Sequence, residues 1–166
     1  MPLNSALLGI QIQHNNSKTA DYTSAIELLN QVISQSFGPG TGAEQSDLVF
    51  GPDKRTLAGG ANESLDLNGG GLTDIFGNAL NFAKVRGLVI QNLSATKTFT
   101  IGNDASPFVF LGAGTHTVVL PPNGFLLLVN QETGWTVTAG TGDKLKVAND
   151  AGAAADYLIY ILGTSA

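Results

Sequence analysis

A two-residue alternation of apolar and polar side chains runs through most of this 166-residue chain. Leu8, Ile10 and Ile12 alternate with Gly or Gln, and later segments repeat the pattern, as in KTFTIG, GWTVTAG and DKLKVAN. Because successive side chains of a strand point to opposite faces, this period indicates half-buried strands. The segments recur at intervals of about ten residues with Gly, Pro or Asn between them, which is typical of a sandwich or barrel. The alternation predicts an all-β chain.

Two short glycine-containing segments are predicted to be turns. PPNG at 121–124 separates two apolar runs, and Pro followed by Asn-Gly favours a hairpin between them. GTGD at 140–143 lies between two alternating segments and lacks the Gly-Lys-Ser/Thr ending of a phosphate loop. A hairpin turn with Asp143 bonded to nearby backbone amides is its simplest interpretation, and a ligand-binding loop is the alternative.

Two other segments do not follow the alternation. Residues 20–36 have apolar side chains near helical spacing after a possible Thr23 cap, and fit either a helix or two short strands. In GLTDIFGNALNF, at 71–82, the apolar pair Ile75 and Phe76 predicts one short helical turn at a sandwich edge. Glycine and proline cluster near residue 40, so residues 1–39 are predicted to be an N-terminal arm or first strands. Residues 40–166 then form the β-sandwich domain.

Composition narrows the function classes. Charged residues make up 13% of the chain, about half the usual 25%. Charge is depleted in interface cores, so such a surface suits a protein covered by neighbours. The formal net charge of −5 disfavours direct nucleic-acid binding. Cysteine is absent, and no segment predicts a secretory signal or membrane span. We expect a soluble protein made in the cytoplasm.

Catalytic and metal-binding patterns are weak. His14 and His116 are the two histidines, which is too few for a metal site without cysteine ligands. No nucleophile elbow is present. Glu63 and Asp66 are close in sequence, and Asp143 and Asp150 flank the lysine-containing strand, but the chain has few aromatic residues to form the platforms of a glycosidase cleft. Trp135 is expected in the core or at a sheet edge, with an exposed sugar platform as the alternative. The sequence predicts a non-enzymatic protein without cofactor or metal.

Five segments, taken in order, are similar to a family of small structural proteins of tailed bacteriophages. They are GTGAEQSDLVF (40–50), RTLAGGANESLDLNGGGLTDIFGNALNFAKVRGLVI (55–90), GAGTHTVVLPPNGFLLLVN (112–130), GWTVTAGTGDKLKVAND (134–150) and YLIYILGTSA (157–166). The resemblance implies a jelly-roll-like antiparallel β-sandwich in the virion. It further implies a capsid cement or decoration protein on the head surface. Its partners would be the major capsid protein and itself, as a dimer or trimer.

Two sets of residues are candidate contacts for such partners. In the arm, Leu7, Leu8, Ile10 and Ile12 would add a strand to a neighbouring sheet edge, unless this segment is the first strand of its own sandwich. Lys144 and Lys146 lie on one face of a predicted strand, where they would protect a sheet edge or dock an acidic partner. The alternative functions are a tail, neck or fibre component, or a module that binds host carbohydrate.

Overall fold

The computed structural model describes residues 3–19 and 24–166, and its regular structure consists of strands. In chain order the strands are β1 (Ala6–Thr19), β2 (Ser24–Pro39), β3 (Gln45–Ser46), β4 (Leu48–Leu57), β5 (Asn62–Asp66), β6 (Leu72–Thr73), β7 (Ala79–Leu80), β8 (Lys84–Asn92), β9 (Phe99–Gly102), β10 (Thr117–Leu120), β11 (Phe125–Val129), β12 (Trp135–Thr136), β13 (Lys144–Asn149) and β14 (Ala155–Thr164). The described residues contain no helix that is long and apolar enough to cross a membrane.

Eight of these strands form a jelly roll of two facing antiparallel sheets. One sheet has the order β11-β8-β14-β4, with β12 also paired to β8, and the other has the order β10-β9-β13-β5. The first strand of the sandwich, β4, pairs with the last, β14. The pairs that lie successively closer to the middle of the chain are β5 with β13, β8 with β11, and β9 with β10. This nested pairing is the topology of a jelly roll. The predicted all-β, jelly-roll-like sandwich is confirmed.

The core lies between the two sheets, and the apolar residues of the alternating segments supply its side chains. Along β13 buried and half-buried residues alternate strictly, and Leu65 and Leu67 both point inwards, as predicted. The ring of Tyr157 meets that of Phe99 edge-on across the core, with centroids 5.4 Å apart. The fully buried apolar side chains of the core include Leu67, Phe82, Leu88, Ile90, Phe99, Ile101, Leu145, Ile159 and Ile161.

The PPNG segment is a turn, but the predicted hairpin is wrong. The amide of Gly124 donates to the carbonyl of Pro121, and Asn123 adopts a φ of 56°. The flanking strands β10 and β11 nevertheless belong to different sheets. The turn therefore carries the chain across the sandwich, as jelly-roll connections do.

The helical turn predicted at Ile75 and Phe76 is absent, and residues 72–80 form a small hairpin of β6 and β7 instead. The carboxylate of Asp74 accepts from the backbone amides of Phe76 and Asn78, both at 2.8 Å. Gly77 follows with a φ of 84°. An aspartate that bonds forward to nearby amides stabilises a turn in competition with a helix. Ile75 and Phe76 consequently lie exposed at the turn.

An N-terminal hairpin projects from the sandwich. β1 and β2 pair in unbroken antiparallel register from Ala6–Phe37 to Thr19–Ser24. Neither strand joins a sandwich sheet, so β1 is not the sandwich's first strand; the end of β2 pairs only with the short parallel β3. Of residues 20–36, those from Ser24 onwards are strand, not helix, while 20–23, with the proposed Thr23 cap, lie outside the described residues.

Candidate functional site

The base of the arm packs on the outer face of the β11-β8-β14-β4 sheet. Leu8 and Phe37, 8% and 1% exposed, form a small cluster with Leu162 that is separate from the main core. Gly87 of β8 makes room for this contact, because a Cβ atom there would lie 2.1 Å from Cδ1 of Leu8. The arm is therefore anchored where it leaves the sandwich.

Polar contacts fix the same base. Arg86 is 1% exposed. Its Nη1 donates to the carbonyl of Gln131 and, at 2.9 Å, to that of Glu132, while Nη2 reaches the carbonyl of Thr41 at 3.5 Å. The side-chain amide of Gln131 in turn donates to the carbonyl of Ser36 in β2. Arg86 thus joins the sandwich, the loop after β11 and the chain just beyond the arm.

Beyond its base the arm is exposed on both faces. Every side chain described from residue 11 to residue 36 is exposed. Residues paired across a hairpin share a face, so the register divides the arm into two apolar faces. The inner face, shared with Leu8 and Phe37, continues through Ile10, Ile12, Leu29 and Ile33. The outer face carries Leu7, Ile26, Leu28 and Val32, which are 67%, 64%, 72% and 61% exposed.

Leu7 and Leu8 give the most direct test of this division. We expect Leu8→Ala to lower the free energy of unfolding by about 2–3 kcal/mol, because it empties a buried site. Leu7→Ala, one residue earlier on the solvent face, is expected to change it by less than about 0.5 kcal/mol. Urea unfolding followed by tryptophan fluorescence measures both. Equal costs would contradict the placement of Leu8 against the sandwich.

A groove lies between the arm base and the neighbouring edge of the sandwich. Its volume is about 650 Å³. The arm contributes the inner-face residues Ile10 and Ile33, and β11 contributes Leu127 and Val129. Trp135, half-buried against the main core, also lines the groove. The groove thus has apolar side chains on both walls, and Ser34, Gln35, Asn130, Gln131 and Glu132 add polar groups to its lining.

β11 is an edge strand, and within the described strands it pairs only with β8. The carbonyl of Gly124 accepts from the amide of Asn92, and the amide of Asn130 donates to the carbonyl of Arg86, both at 2.8 Å. Because ladder bonds alternate along an antiparallel strand, the even-numbered residues of β11 bond to β8. The N–H and C=O groups of the odd-numbered residues, Leu127 among them, point to the open edge.

The two candidate lysines lie on one face, as predicted, but protect no edge. Their strand, β13, lies between β9 and β5 in the middle of its sheet, so the edge-protection interpretation is wrong. Nζ of Lys144 lies 2.6 Å from the carboxylate of Asp66, and this hydrogen bond raises the pKa of Lys144 and lowers that of Asp66. Nζ of Lys146 donates to the carbonyl of Asn103 at 3.3 Å.

GTGD is a turn, as predicted. Thr138 and Gly142 form a β-bridge across it, and the amide of Gly140 donates to the carboxylate of Asp143 at 2.5 Å. The strands on either side, β12 and β13, belong to different sheets, so the segment is not a hairpin between paired strands. Asp143, 3% exposed, acts here as a structural residue of the turn.

The carboxylates considered as a catalytic pair lie on opposite faces of β5. Glu63 accepts from the Arg55 guanidinium at 2.5 and 2.9 Å and from the Tyr157 hydroxyl at 2.8 Å, whereas Asp66 faces Lys144. Burial, together with the bond to Glu63, raises the pKa of Tyr157 well above its usual range. Tyr157 is fully buried, so its hydroxyl serves to join β14 to β5.

Side-chain clusters able to hold a metal ion are absent from residues 3–19 and 24–166. No family model, curated protein or solved structure matches this chain. The residues themselves therefore carry the functional argument. The arm, the groove and the open edge of β11 together form the candidate site.

Proposed function

We propose that this protein is a non-enzymatic structural component of a bacteriophage virion, most specifically a capsid cement or decoration protein. In this role it binds the outside of the head and stabilises contacts between capsomers of the major capsid protein. The observation that carries the proposal is the N-terminal arm, a long hairpin with apolar residues exposed on both faces.

Such an arm requires a partner. An isolated two-stranded hairpin is marginally stable in water, and large exposed apolar patches mark interaction surfaces. Residues 1–39 carry only Lys18, Asp21 and Glu27 as charged side chains, so little charge opposes burial of the arm. The jelly roll itself is a recurrent architecture of viral capsid proteins, although lectin domains share it.

The outer face of the arm is the surface that we assign to the lattice partner. Leu28 and Val32 project away from the chain's own sandwich, and no described contact covers them. Burying a side chain of this size contributes about 1.5–3 kcal/mol. Repeated over many sites on a head, the binding would stabilise the lattice by mass action.

Co-sedimentation with decoration-free expanded heads, and separately with tails, tests the proposal. We expect saturable binding to heads at a fixed ratio to the major capsid protein. The double variant Leu28→Lys with Val32→Lys should weaken this binding by about tenfold or more, since two apolar contacts are replaced by charge. Binding to tails alone, or to neither particle, would overturn the cement role.

A matched control separates lost contacts from added charge. Gln13 and Asn15 lie on the same outer face and are exposed and polar. Gln13→Lys with Asn15→Lys therefore adds the same charge without removing an apolar side chain. We expect this variant to keep most of the binding, and an equal loss in both variants would contradict the role of the apolar outer face.

A further inference from the structure

We propose that the open edge of β11, with the groove beside it, binds the inner face of the arm of a second copy of this chain. Copies would then exchange arms and form a closed homo-oligomer. The inference names the partner of the inner face and rests on the same arm as the proposed function. It does not depend on the identity of the lattice partner assigned to the outer face.

The edge of β11 lacks the features that keep edges unpaired. Its sequence, FLLLV, contains no charge and no proline, and the backbone groups of its odd-numbered residues point outwards. Soluble proteins protect edge strands with charge, proline, bulges or a covering element. The chain's own arm base lies across the groove from β11, but within the described strands only β8 pairs with it. The outward backbone groups of β11 are therefore expected to bond to another molecule.

The chain's own arm does not pair with that edge. Its register runs through all the pairs from Ala6–Phe37 to Thr19–Ser24 without a bulge, a feature that would bend the ribbon locally. At about 3.4 Å per residue, the 14-residue β1 spans close to 48 Å. Ala6 and Leu8 at its start belong to the cluster on the sandwich, and its side chains described from residue 11 onwards are exposed. Exposed apolar side chains of this part of the arm, such as Ile12 and Leu29, can therefore contact a neighbouring molecule.

The arm of a second copy has the apolar side chains and the strand edge that the groove and the edge of β11 can bind. The arm base already packs its inner face on this side of the sheet, where Leu8 contacts Gly87. Ile12 and Leu29 continue that face beyond the base and are 41% and 38% exposed. Neither belongs to the cluster that packs on the chain's own sandwich. β1 is the edge strand of the β1-β2-β3 sheet, so it can also add to β11 through backbone hydrogen bonds.

The first test is the oligomeric state in solution, measured by sedimentation velocity and light scattering on the full chain. We expect an oligomer at micromolar concentration. Leu127→Pro removes an outward N–H from the β11 edge without breaking the bonds to β8, and should dissociate it. Leu127→Thr loses the same apolar side chain but keeps the N–H, and should remain largely associated. A folded wild-type monomer, or an unaltered oligomer in Leu127→Pro, would overturn the proposal.

Cross-linking gives a second readout that does not require Leu127→Pro to fold. The chain contains no cysteine, so one preparation can carry only Ile12→Cys and another only Leu127→Cys. After mixing and treatment with a short bis-maleimide, we expect heterodimers well above those formed with an exposed control, Ser64→Cys, on the other sheet. Cross-linking no greater than that control would overturn the arrangement.

The two proposals fail separately. If the protein forms the arm-exchanged oligomer but does not bind heads, the cement role is wrong and the arm exchange is supported. If the protein is a monomer that binds heads through Leu28 and Val32, the arm exchange is wrong and the cement role is supported. The double variant Ile12→Lys with Leu29→Lys should dissociate the oligomer, whereas Leu28→Lys with Val32→Lys should leave it assembled.

Discussion

Replacing Arg86 with Ala is expected to lower the free energy of unfolding by about 3–5 kcal/mol, the largest single effect we predict outside the apolar core. Arg86 is among the largest fully buried side chains, so its removal leaves a cavity. It also removes the donors to the carbonyls of Gln131, Glu132 and Thr41. Both effects would loosen the loop after β11 and the segment just beyond the arm, which together hold the arm base.

A second variant separates these two contributions. Arg86→Met retains most of the side-chain volume and lacks the donors, so we expect a cost of about 2 kcal/mol from unsatisfied carbonyls. Hydrogen exchange should also become faster at residues 36–46 and 130–134, while the central strands stay protected. Urea unfolding and exchange mass spectrometry measure these effects. Wild-type stability in Arg86→Met would show that the guanidinium bonds contribute nothing to the arm base.

The sequence predicted the strands more fully than their partners. Alternation locates Leu65 and Leu67 on the core face because burial of one face is a local property of the strand. It does not tell which strands pair. PPNG therefore predicted a hairpin between β10 and β11, although these strands lie in different sheets. The jelly-roll expectation came from the resemblance to a family, not from the alternation.

Two features of the candidate site were hidden for physical reasons. The open edge of β11 follows from strand order, which alternation does not encode, although the uncharged FLLLV was visible in the sequence. Arg86 could not be found from the alternation because it lies in a β-bulge. Leu162 of β14 pairs with Gly87 and the next residue, Gly163, pairs with Val85, so Arg86 has no partner in β14. A lone arginine inside an apolar run is the sequence signal that could have drawn attention to it.

The same bulge gives the second large prediction. Gly163→Ala is expected to lower the free energy of unfolding by about 2–4 kcal/mol, because a Cβ atom there would lie 2.2 Å from the carbonyl oxygen of Lys84 and 2.6 Å from the ring of Phe82. The neighbouring backbone must shift to admit it. The Gly163 carbonyl also accepts from the Ser46 hydroxyl and the Asp47 amide, so the shift would reach the chain that follows the arm.

Gly38→Ala is the matched control for this prediction. Gly38 also lies in a strand, but a Cβ atom there meets nothing within 4 Å, and its φ is not positive. We expect a change within about 0.5 kcal/mol, because alanine there meets no clash and restricts the unfolded chain. If Gly163→Ala costs as little as Gly38→Ala, the end of β14 has room to move. The close packing that orients Arg86 and the arm base would then be contradicted.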